Sequence, residues 1–157
     1  MDTRFYDEVA TPIGTIAIAV DRRGRLLELQ FAVLPSGCAK NRRACQHVRR
    51  EIAEYFAGDR TAFELTLAPS GTHFQQRVWQ ALTEIPYGRA VSYGELAARI
   101  DRPQAARAVG QANGANPIAI VIPCHRVIAA DGTIGGYSGG LDIKRHLLAI
   151  EQVALAA

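Results

Sequence analysis

The hydrophobic pattern of the chain changes at residues 68–71, a short APSG stretch. Before this stretch, runs rich in β-branched and aromatic residues are separated by turn sequences, which is typical of antiparallel strands. After it, apolar residues recur at helical spacing between loops that contain Gly and Pro. A chain of 157 residues is long enough for one domain or two small ones. The change of pattern therefore predicts an N-terminal domain over residues 1–68 and a C-terminal domain over residues 69–157.

The N-terminal domain is predicted to be an α/β domain. Three strands are expected in an antiparallel meander with one face buried, at residues 5–9, 15–20 and 26–31. Residues 34–42 are expected to form a loop, and residues 47–56 form a helix that ends before Gly58. Alternating residues at 61–67 predict a further strand.

The C-terminal domain is predicted to be mostly α. Thr72 can cap a first helix, and Ser92 with Glu95 matches the capping box of a second. Pro103 can open a third helix after a tight turn, so that the second and third helices match a helix-turn-helix. A glycine-rich stretch, DGTIGGYSGG, precedes a closing helix over about residues 142–153.

Composition and charge restrict the class of protein. Apolar residues make up 48% of the chain and charged residues 21%, which excludes a mostly disordered chain. The net charge of +3 is too small to establish a nucleic-acid partner, but it excludes an acidic protein that repels phosphate. Only Lys40 and Lys144 are lysines, so the basic residues are almost all arginines, which suit planar recognition of phosphate and bases.

The cysteines indicate free thiols. Their number, three, is odd, and the chain starts without the apolar stretch of a signal peptide. The longest apolar run covers residues 117–124, far too short for a membrane span. We therefore expect a cytoplasmic protein with no membrane association. Cys38, Cys45 and His47 match no common zinc pattern, so no metal site is expected.

Cys124 and His125 are the strongest candidates for chemistry. They lie at the end of PIAIVIPC, which predicts a short buried extended segment. A free thiol has a pKa of about 8.5, so a nucleophilic cysteine needs a base. Adjacent side chains of an extended segment point to opposite faces, which favours a bridging water and requires an acceptor for the base on another element. A buried cysteine can equally be a small apolar residue without chemistry.

Five blocks in the C-terminal half carry a resemblance to a known family. They are FQQRVWQALTEIPYG (74–88), SYGELA (92–97), RAVGQANGANP (107–117), NPIAIVIPCHRVI (116–128) and GGYSGGLDIKRHLLAIE (135–151). In this order, over about residues 71–152, they closely resemble the O-6-alkylguanine-DNA alkyltransferases, also called methylated-DNA–protein-cysteine methyltransferases. The resemblance implies a ribonuclease H-like N-terminal domain, a helix-turn-helix in the C-terminal domain, and no cofactor.

The chemistry implied by the resemblance is direct, irreversible alkyl transfer from a guanine oxygen to the protein's own cysteine. Cys124 would be the acceptor, His125 the base acting through a water, and Glu151 the carboxylate that orients the imidazole. Asn116 resembles the asparagine that links the recognition helix to the active-site segment. Tyr93 would lie by the target nucleotide and protonate the departing base, which otherwise leaves as an anion.

The resemblance also implies how DNA is bound. The alkylated oxygen lies in the base stack, so the nucleotide has to be flipped out. The helix-turn-helix would enter the minor groove, and Arg107 would replace the extruded base. The other residues expected at the DNA are Ala106, Ala108, Gly110 and Ser92. The pocket would be formed by the backbone carbonyls of Cys124 and Val127, which select guanine, and by Tyr137 and Ser138 of the glycine-rich loop.

The expected function is DNA repair in which each protein molecule is consumed by one lesion, with O-4-alkylthymine left open as a second substrate. The partner is double-stranded DNA carrying alkylated bases, bound by a monomer, with cooperative binding left open. Two other classes stay open: a lesion-sensing DNA-binding protein in which Cys124 only packs, and a Cys-His hydrolase. The hydrolase explains neither Tyr93 nor Arg107.

Overall fold

The computed structural model describes residues 3–156. The chain divides into two compact units between Ser70 and Gly71, two residues after the predicted boundary. Among the described residues, no helix combines the length and apolar character needed to cross a bilayer.

The N-terminal unit is a four-stranded sheet with one helix. Its elements are β1 (Arg4–Thr11), β2 (Gly14–Asp21), β3 (Leu26–Phe31), β4 (Ala39–Lys40) and α1 (Gln46–Phe56). The strand order is β3-β2-β1-β4; β1, β2 and β3 are antiparallel, and β4 is parallel to β1. The three predicted antiparallel strands and the helix are therefore confirmed.

Three local predictions for this unit were wrong. Strand β2 is buried at every position over 16–20, so the meander is not covered on one face only. Its sequence there, IAIAV, has no polar residue, which is typical of a strand covered on both sides. Residues 61–67 contain one isolated bridge, between Leu67 and Leu26, instead of a strand. The expected loop at 34–42 contains the short strand β4, because β1 offers it a free edge.

The C-terminal unit contains four helices, one 3₁₀ turn and a short strand pair. They are α2 (His73–Thr83), β5 (Val91–Ser92), α3 (Tyr93–Arg99), α4 (Ala106–Gly114), the 3₁₀ turn Cys124–Arg126, β6 (Val127–Ile128) and α5 (Leu141–Ile150). Thr72 and Ser92 both form complete capping boxes, with Gln75 and Glu95, so both predicted helix starts are confirmed. Strands β5 and β6 are parallel, with Val91 paired to Val127, which places the 124–126 turn beside the loop that leads into β5.

The third helix begins at Ala106 instead of Pro103. Asp101 has a φ of +59°, and Arg102 N–H donates to the carbonyl of Ala97, so the chain turns sharply after α3. The Ala105 N–H donates to the carbonyl of Arg102 in a second turn. These bonds use the backbone groups that an earlier helix start would need. Helix α5 likewise ends at Ile150, short of the predicted 153, because Gln152 has a φ of +60°.

The segment before Cys124 is buried as predicted, but it is not extended. Residues 118–122 form successive turns, with the Ile122 N–H donating to the carbonyl of Ile118 and Ile120 at a φ of +72°. Within this segment only Ile118 is a bridge residue, and the side chain of Asn116 bonds to two of the backbone groups. Its Oδ1 accepts from the Ile118 N–H at 2.9 Å, and its Nδ2 donates to the Ile122 carbonyl at 2.7 Å. Hydrogen bonds within the turns and from the Asn116 amide therefore satisfy backbone groups that a strand would pair with its neighbour.

Candidate active site

The candidate site is built around the 3₁₀ turn Cys124–Arg126, whose three side chains are all buried. Successive side chains of a 3₁₀ turn lie about 120° apart around its axis. The expectation that Cys124 and His125 point to opposite faces of an extended segment is therefore wrong. His125 Nδ1 is buried and has no hydrogen-bond partner among the described residues.

Glu151 is the carboxylate that the sequence analysis required on another element. It lies directly after α5, is 2% exposed, and its Oε2 is 2.6 Å from His125 Nε2. Arg126 also contacts it, with Nε donating to Oε1 at 2.8 Å and a terminal nitrogen donating to Oε2 at 3.2 Å. Sequence reasoning missed Arg126, although it follows His125 directly in PCHRV.

The loop after α2 completes the surroundings of this carboxylate. The Ile85 carbonyl accepts from Arg126 at 2.5 Å, and the Gly88 N–H donates to Glu151 Oε1 at 3.3 Å. The Arg126 guanidinium lies 5.9 Å from the centre of the Tyr87 ring. The IPYG sequence at 85–88 therefore lies along one side of the buried ion pair.

The resting protonation states follow from burial. Burial raises the pKa of the Cys124 thiol, while Asn116, Tyr137 and Lys144 act in the opposite direction. Burial lowers the pKa of His125, against the effect of Glu151. The resting pair is therefore a neutral thiol and a neutral imidazole, so a proton has to leave Cys124 before its sulfur becomes a strong nucleophile.

Two asparagines hold the backbone near Cys124. Asn113 at the end of α4 donates to the Cys124 carbonyl at 3.4 Å. Asn116 bonds to the turns before Cys124, as described above, and its amide also stabilises the thiolate form. The candidate Asn116 is thus brought to the site, and Asn113 is added to it.

Lys144 is a second buried cation that sequence reasoning missed. It is 0% exposed, and its Nζ donates to the Val127 carbonyl at 2.6 Å and to the Gly136 carbonyl at 2.8 Å. Burial lowers the pKa of Lys144 to about 8. One ammonium group therefore joins β6 to the glycine-rich loop over residues 131–140, and one of the two lone pairs of the Val127 carbonyl is occupied.

The other residues expected in the pocket come from the glycine-rich loop and from the start of α3. Tyr137 of the glycine-rich loop has its hydroxyl 3.9 Å from Cys124 Sγ, while Ser138 is exposed on the same loop. The pKa of the Tyr93 hydroxyl is raised by burial, against a hydrogen bond from the Gly136 backbone. A Cβ at Gly110 would lie 3.6 Å from the Tyr93 ring, so Gly110 packs α4 against α3.

The residues expected at the DNA share the surface of α3 and α4. Arg107 and Ala108 are exposed, and Ala106 is partly exposed at the start of α4. Ser92 is partly exposed and accepts from the Glu95 N–H at 3.0 Å. Within the described range no cluster of His, Cys, Asp or Glu has the arrangement of a metal site.

We expect the buried His125 to make stability fall as the pH is lowered. Its pKa lies below its ordinary value of 6.5, so the unfolded chain binds its proton first as the pH falls. The contribution is complete above pH 6.5 and is lost as the pH falls toward the folded pKa. Urea unfolding at about pH 7.5 and about pH 5.5 measures the change. His125→Gln should flatten it and the exposed His146→Gln should not; equal slopes in all three proteins would contradict the prediction.

We expect Lys144→Met to loosen the glycine-rich loop. Each hydrogen bond from an ammonium group contributes about 1.5–3 kcal/mol, so losing two should speed amide exchange over residues 131–140 by about tenfold or more. Hydrogen exchange with mass spectrometry measures this rate. Lys40→Met is the matched control, because Lys40 is the other lysine of the chain and is exposed. Unchanged exchange in Lys144→Met would show that the ammonium does not hold the loop.

Comparison with known proteins assigns both units. The family model described as "6-O-methylguanine DNA methyltransferase, ribonuclease-like domain" matches residues 4–69, and the one described as "6-O-methylguanine DNA methyltransferase, DNA binding domain" matches residues 73–153. A ribonuclease-like N-terminal domain followed by a DNA-binding domain is therefore confirmed.

Curated and solved relatives agree with this assignment. The methylated-DNA–protein-cysteine methyltransferase of Methanosarcina barkeri is 46% identical over 154 residues, covering 94% of this chain and 97% of that protein. The protein of the same name from Mycolicibacterium paratuberculosis is 48% identical, covering 94% and 92%. A crystal structure of Mycobacterium tuberculosis OGT in complex with DNA is 44% identical, with a TM-score of 0.90 over 94% of this chain and 92% of that one. The chain belongs to the 6-O-methylguanine DNA methyltransferase family.

Proposed function

We propose that the protein repairs DNA by moving an alkyl group from the O6 oxygen of an alkylated guanine to Cys124 Sγ. The observation that carries this proposal is a buried free thiol in the same turn as His125, whose Nδ1 has no partner among the described residues and whose Nε2 faces Glu151. Family membership supplies the substrate class. O-4-alkylthymine is a second candidate substrate.

The transfer step balances with groups of this chain. The Cys124 proton passes to His125 Nδ1 through a water, and the thiolate sulfur attacks the alkyl carbon. The new S–C bond forms as the C–O6 bond breaks, and the electron pair stays on the guanine. Tyr93 donates the proton that keeps guanine from leaving as an anion, a role supported by the raised pKa that keeps its hydroxyl protonated.

The pocket would select guanine through backbone carbonyls. The Val127 carbonyl accepts from Lys144 and keeps a second lone pair for the exocyclic amine of the base. The Cys124 carbonyl accepts from Asn113 and from the Val127 N–H, so the exocyclic amine would share this oxygen with them. Tyr137 and Ser138 would close the pocket from the glycine-rich loop.

DNA binding would use α3 and α4 as a helix-turn-helix in the minor groove. The exposed Arg107 would fill the space of the flipped base, and the small residues near it would let α4 approach a narrow groove. Those residues are Ala106, Ala108 and Gly110, with Ser92 at the start of α3. Because the net charge is only +3, binding is expected to be modest and to weaken with salt.

We expect Arg107→Ala to slow repair of duplex DNA more than repair of single strands. Flipping a paired base costs a few kcal/mol that the inserted side chain helps to offset, so the duplex rate should fall by about tenfold or more. Single-turnover rates on both substrates measure the difference. Arg145→Ala, an exposed arginine on α5, is the control. An equal loss on both substrates would contradict insertion of Arg107.

The proposed transfer is tested by intact mass. The protein is mixed with a duplex containing O-6-methylguanine and with the same unmethylated duplex, and the modified residue is mapped by peptide mass. We expect a gain of one methyl group on Cys124 only with the methylated duplex. With excess methylated DNA, the gain should stop at one methyl per protein, because a thioether is not readily hydrolysed.

The rival functions give different results in the same experiment. Binding without a mass change would indicate a lesion-sensing protein, and neither binding nor a mass change would leave a Cys-His hydrolase. More than one methyl removed per protein would overturn the single-turnover proposal. Since Cys124 has to stay reduced, we also propose a reducing compartment, the cytoplasm, as the place of action.

A further inference from the structure

Arg126 is a buried guanidinium to which the transfer mechanism above assigns no role. It is 6% exposed. Its Nε and one terminal nitrogen donate to the two oxygens of Glu151, at 2.8 and 3.2 Å. Its other terminal nitrogen donates to the Ile85 carbonyl at 2.5 Å. This is a side-on, two-bond pair between arginine and carboxylate, which is geometrically specific as well as strong.

The same carboxylate is the partner of His125. Glu151 Oε1 accepts from Arg126 and from the Gly88 N–H, while Oε2 accepts from Arg126 and lies 2.6 Å from His125 Nε2. An arginine can only donate hydrogen bonds. Because it donates to both oxygens, the carboxylate is held in its ionised form and can only accept.

This arrangement decides where the proton of the neutral imidazole lies. Between an ionised carboxylate and a ring nitrogen, the proton of the 2.6 Å contact belongs to His125 Nε2. The other ring nitrogen, Nδ1, then carries the lone pair. Nδ1 is also the ring nitrogen that is buried without a hydrogen-bond partner among the described residues. Its lone pair is therefore not used by another group of the described part of the protein.

We propose that Arg126 is a positioning residue for the transfer step: by holding Glu151 as an ionised acceptor, it sets the Nε2–H tautomer of His125 and makes Nδ1 the atom that takes up the Cys124 proton. The proposal rests on the proposed function for the identity of the reaction, but its main observable, the tautomer, does not require DNA.

Burial and the two cations near the imidazole favour the neutral form of His125 that this mechanism needs. The charged groups that act on His125 are the Glu151 carboxylate, the Arg126 guanidinium and the Lys144 ammonium, and Cys124 directly precedes it in the chain. Burial contributes most to keeping His125 neutral; Arg126 and Lys144 add to it, and Glu151 opposes it. Without Arg126, the Glu151 charge would be uncompensated. Either His125 would become charged or Glu151 would take up a proton, and in both cases the base at Nδ1 would be lost.

The test is nitrogen NMR of the histidines as a function of pH, combined with single-turnover transfer rates. The spectrum of His125→Gln identifies the His125 signals among those of the four histidines. We expect an unprotonated Nδ1 and a protonated Nε2 at neutral pH in the wild-type protein. In Arg126→Met, Nδ1 should be protonated at neutral pH or the two tautomers should mix, and transfer should slow on the order of 100-fold, a typical contribution of a general base.

Two further variants separate positioning from folding. Arg126→Lys keeps the charge and should largely keep the Nε2–H tautomer, so its transfer should be partly rescued relative to Arg126→Met. Arg145→Met, on the exposed side of α5, should match the wild-type protein in both measurements. A merely structural role for Arg126 would lower stability and leave the tautomer and its titration unchanged.

The outcomes that overturn the proposal are distinct from failure of the proposed function. A wild-type spectrum with the proton on Nδ1 overturns it directly, even if Arg126→Met does not fold. A folded Arg126→Met with the wild-type tautomer and titration overturns it as well. If the wild-type protein gains no methyl group from DNA, the proposed function fails while the tautomer result stands.

Discussion

Cys124→Ala is expected to abolish methyl transfer completely while leaving DNA binding within a few-fold of wild type. The reason is chemical: the variant removes the atom that forms the new bond, and no other group described near the site is a thiol. The free cysteines Cys38 and Cys45 both belong to the N-terminal unit. Burial raises the pKa of Cys45 to about 11, which makes it a poor nucleophile.

The measurement is intact mass after incubation with methylated duplex, beside a binding assay on the same DNA. Cys38→Ala and Cys45→Ala are the matched controls and should still gain one methyl group. Cys124→Ser should transfer extremely slowly, because an alcohol ionises far less readily than a thiol. A methyl group on Cys124→Ala would show that the acceptor lies elsewhere and would remove the basis of the proposed mechanism.

Glu151→Ala is expected to destabilise the folded protein by about 3–5 kcal/mol, because it leaves Arg126 buried without its carboxylate. The same change removes the partner of His125 Nε2 and the acceptor of the Gly88 N–H. Buried donors without acceptors add their own cost to that of the unpaired charge. The effect should therefore exceed that of a typical core substitution.

Urea unfolding at neutral pH gives the free-energy difference. Glu84→Ala is the matched control, because Glu84 is exposed at the end of α2 in the same unit, and it should change stability by less than about 0.5 kcal/mol. The double variant Arg126→Met/Glu151→Met should recover part of the loss, since it removes both buried charges. A Glu151→Ala protein within about 1 kcal/mol of wild type would contradict the ion-pair interpretation.

Features set by neighbouring residues could be predicted from the sequence. The capping boxes begun by Thr72 and Ser92 need only a hydroxyl and an acceptor three residues later, and both formed. The strand at 26–31 was predicted with its observed bounds. The link between His125 and Glu151 came from resemblance to a family, and spacing along the chain could not have supplied it, because 26 residues separate the two.

The predictions that failed depended on what lies next to a segment in space. The alternating isoleucines before Cys124 suited a strand, but only Ile118 is a bridge residue, and the following residues form turns that Asn116 supports. The alternation at 61–67 likewise found a partner at one position only. A strand needs a partner for its backbone groups, and the sequence of the segment does not contain that information.

By itself the sequence determined two domains, the antiparallel strands and the two capped helix starts, because periodicity and capping act within a few residues. It also singled out Cys124 and His125 as the candidates for chemistry. Only the tertiary structure showed that Arg126 holds Glu151 and that Lys144 joins β6 to the glycine-rich loop. As sequence, both are ordinary basic residues that usually lie in solvent. In the folded protein both are buried, and each donates to several acceptors. These bonds offset the high free-energy cost of placing a charge away from water.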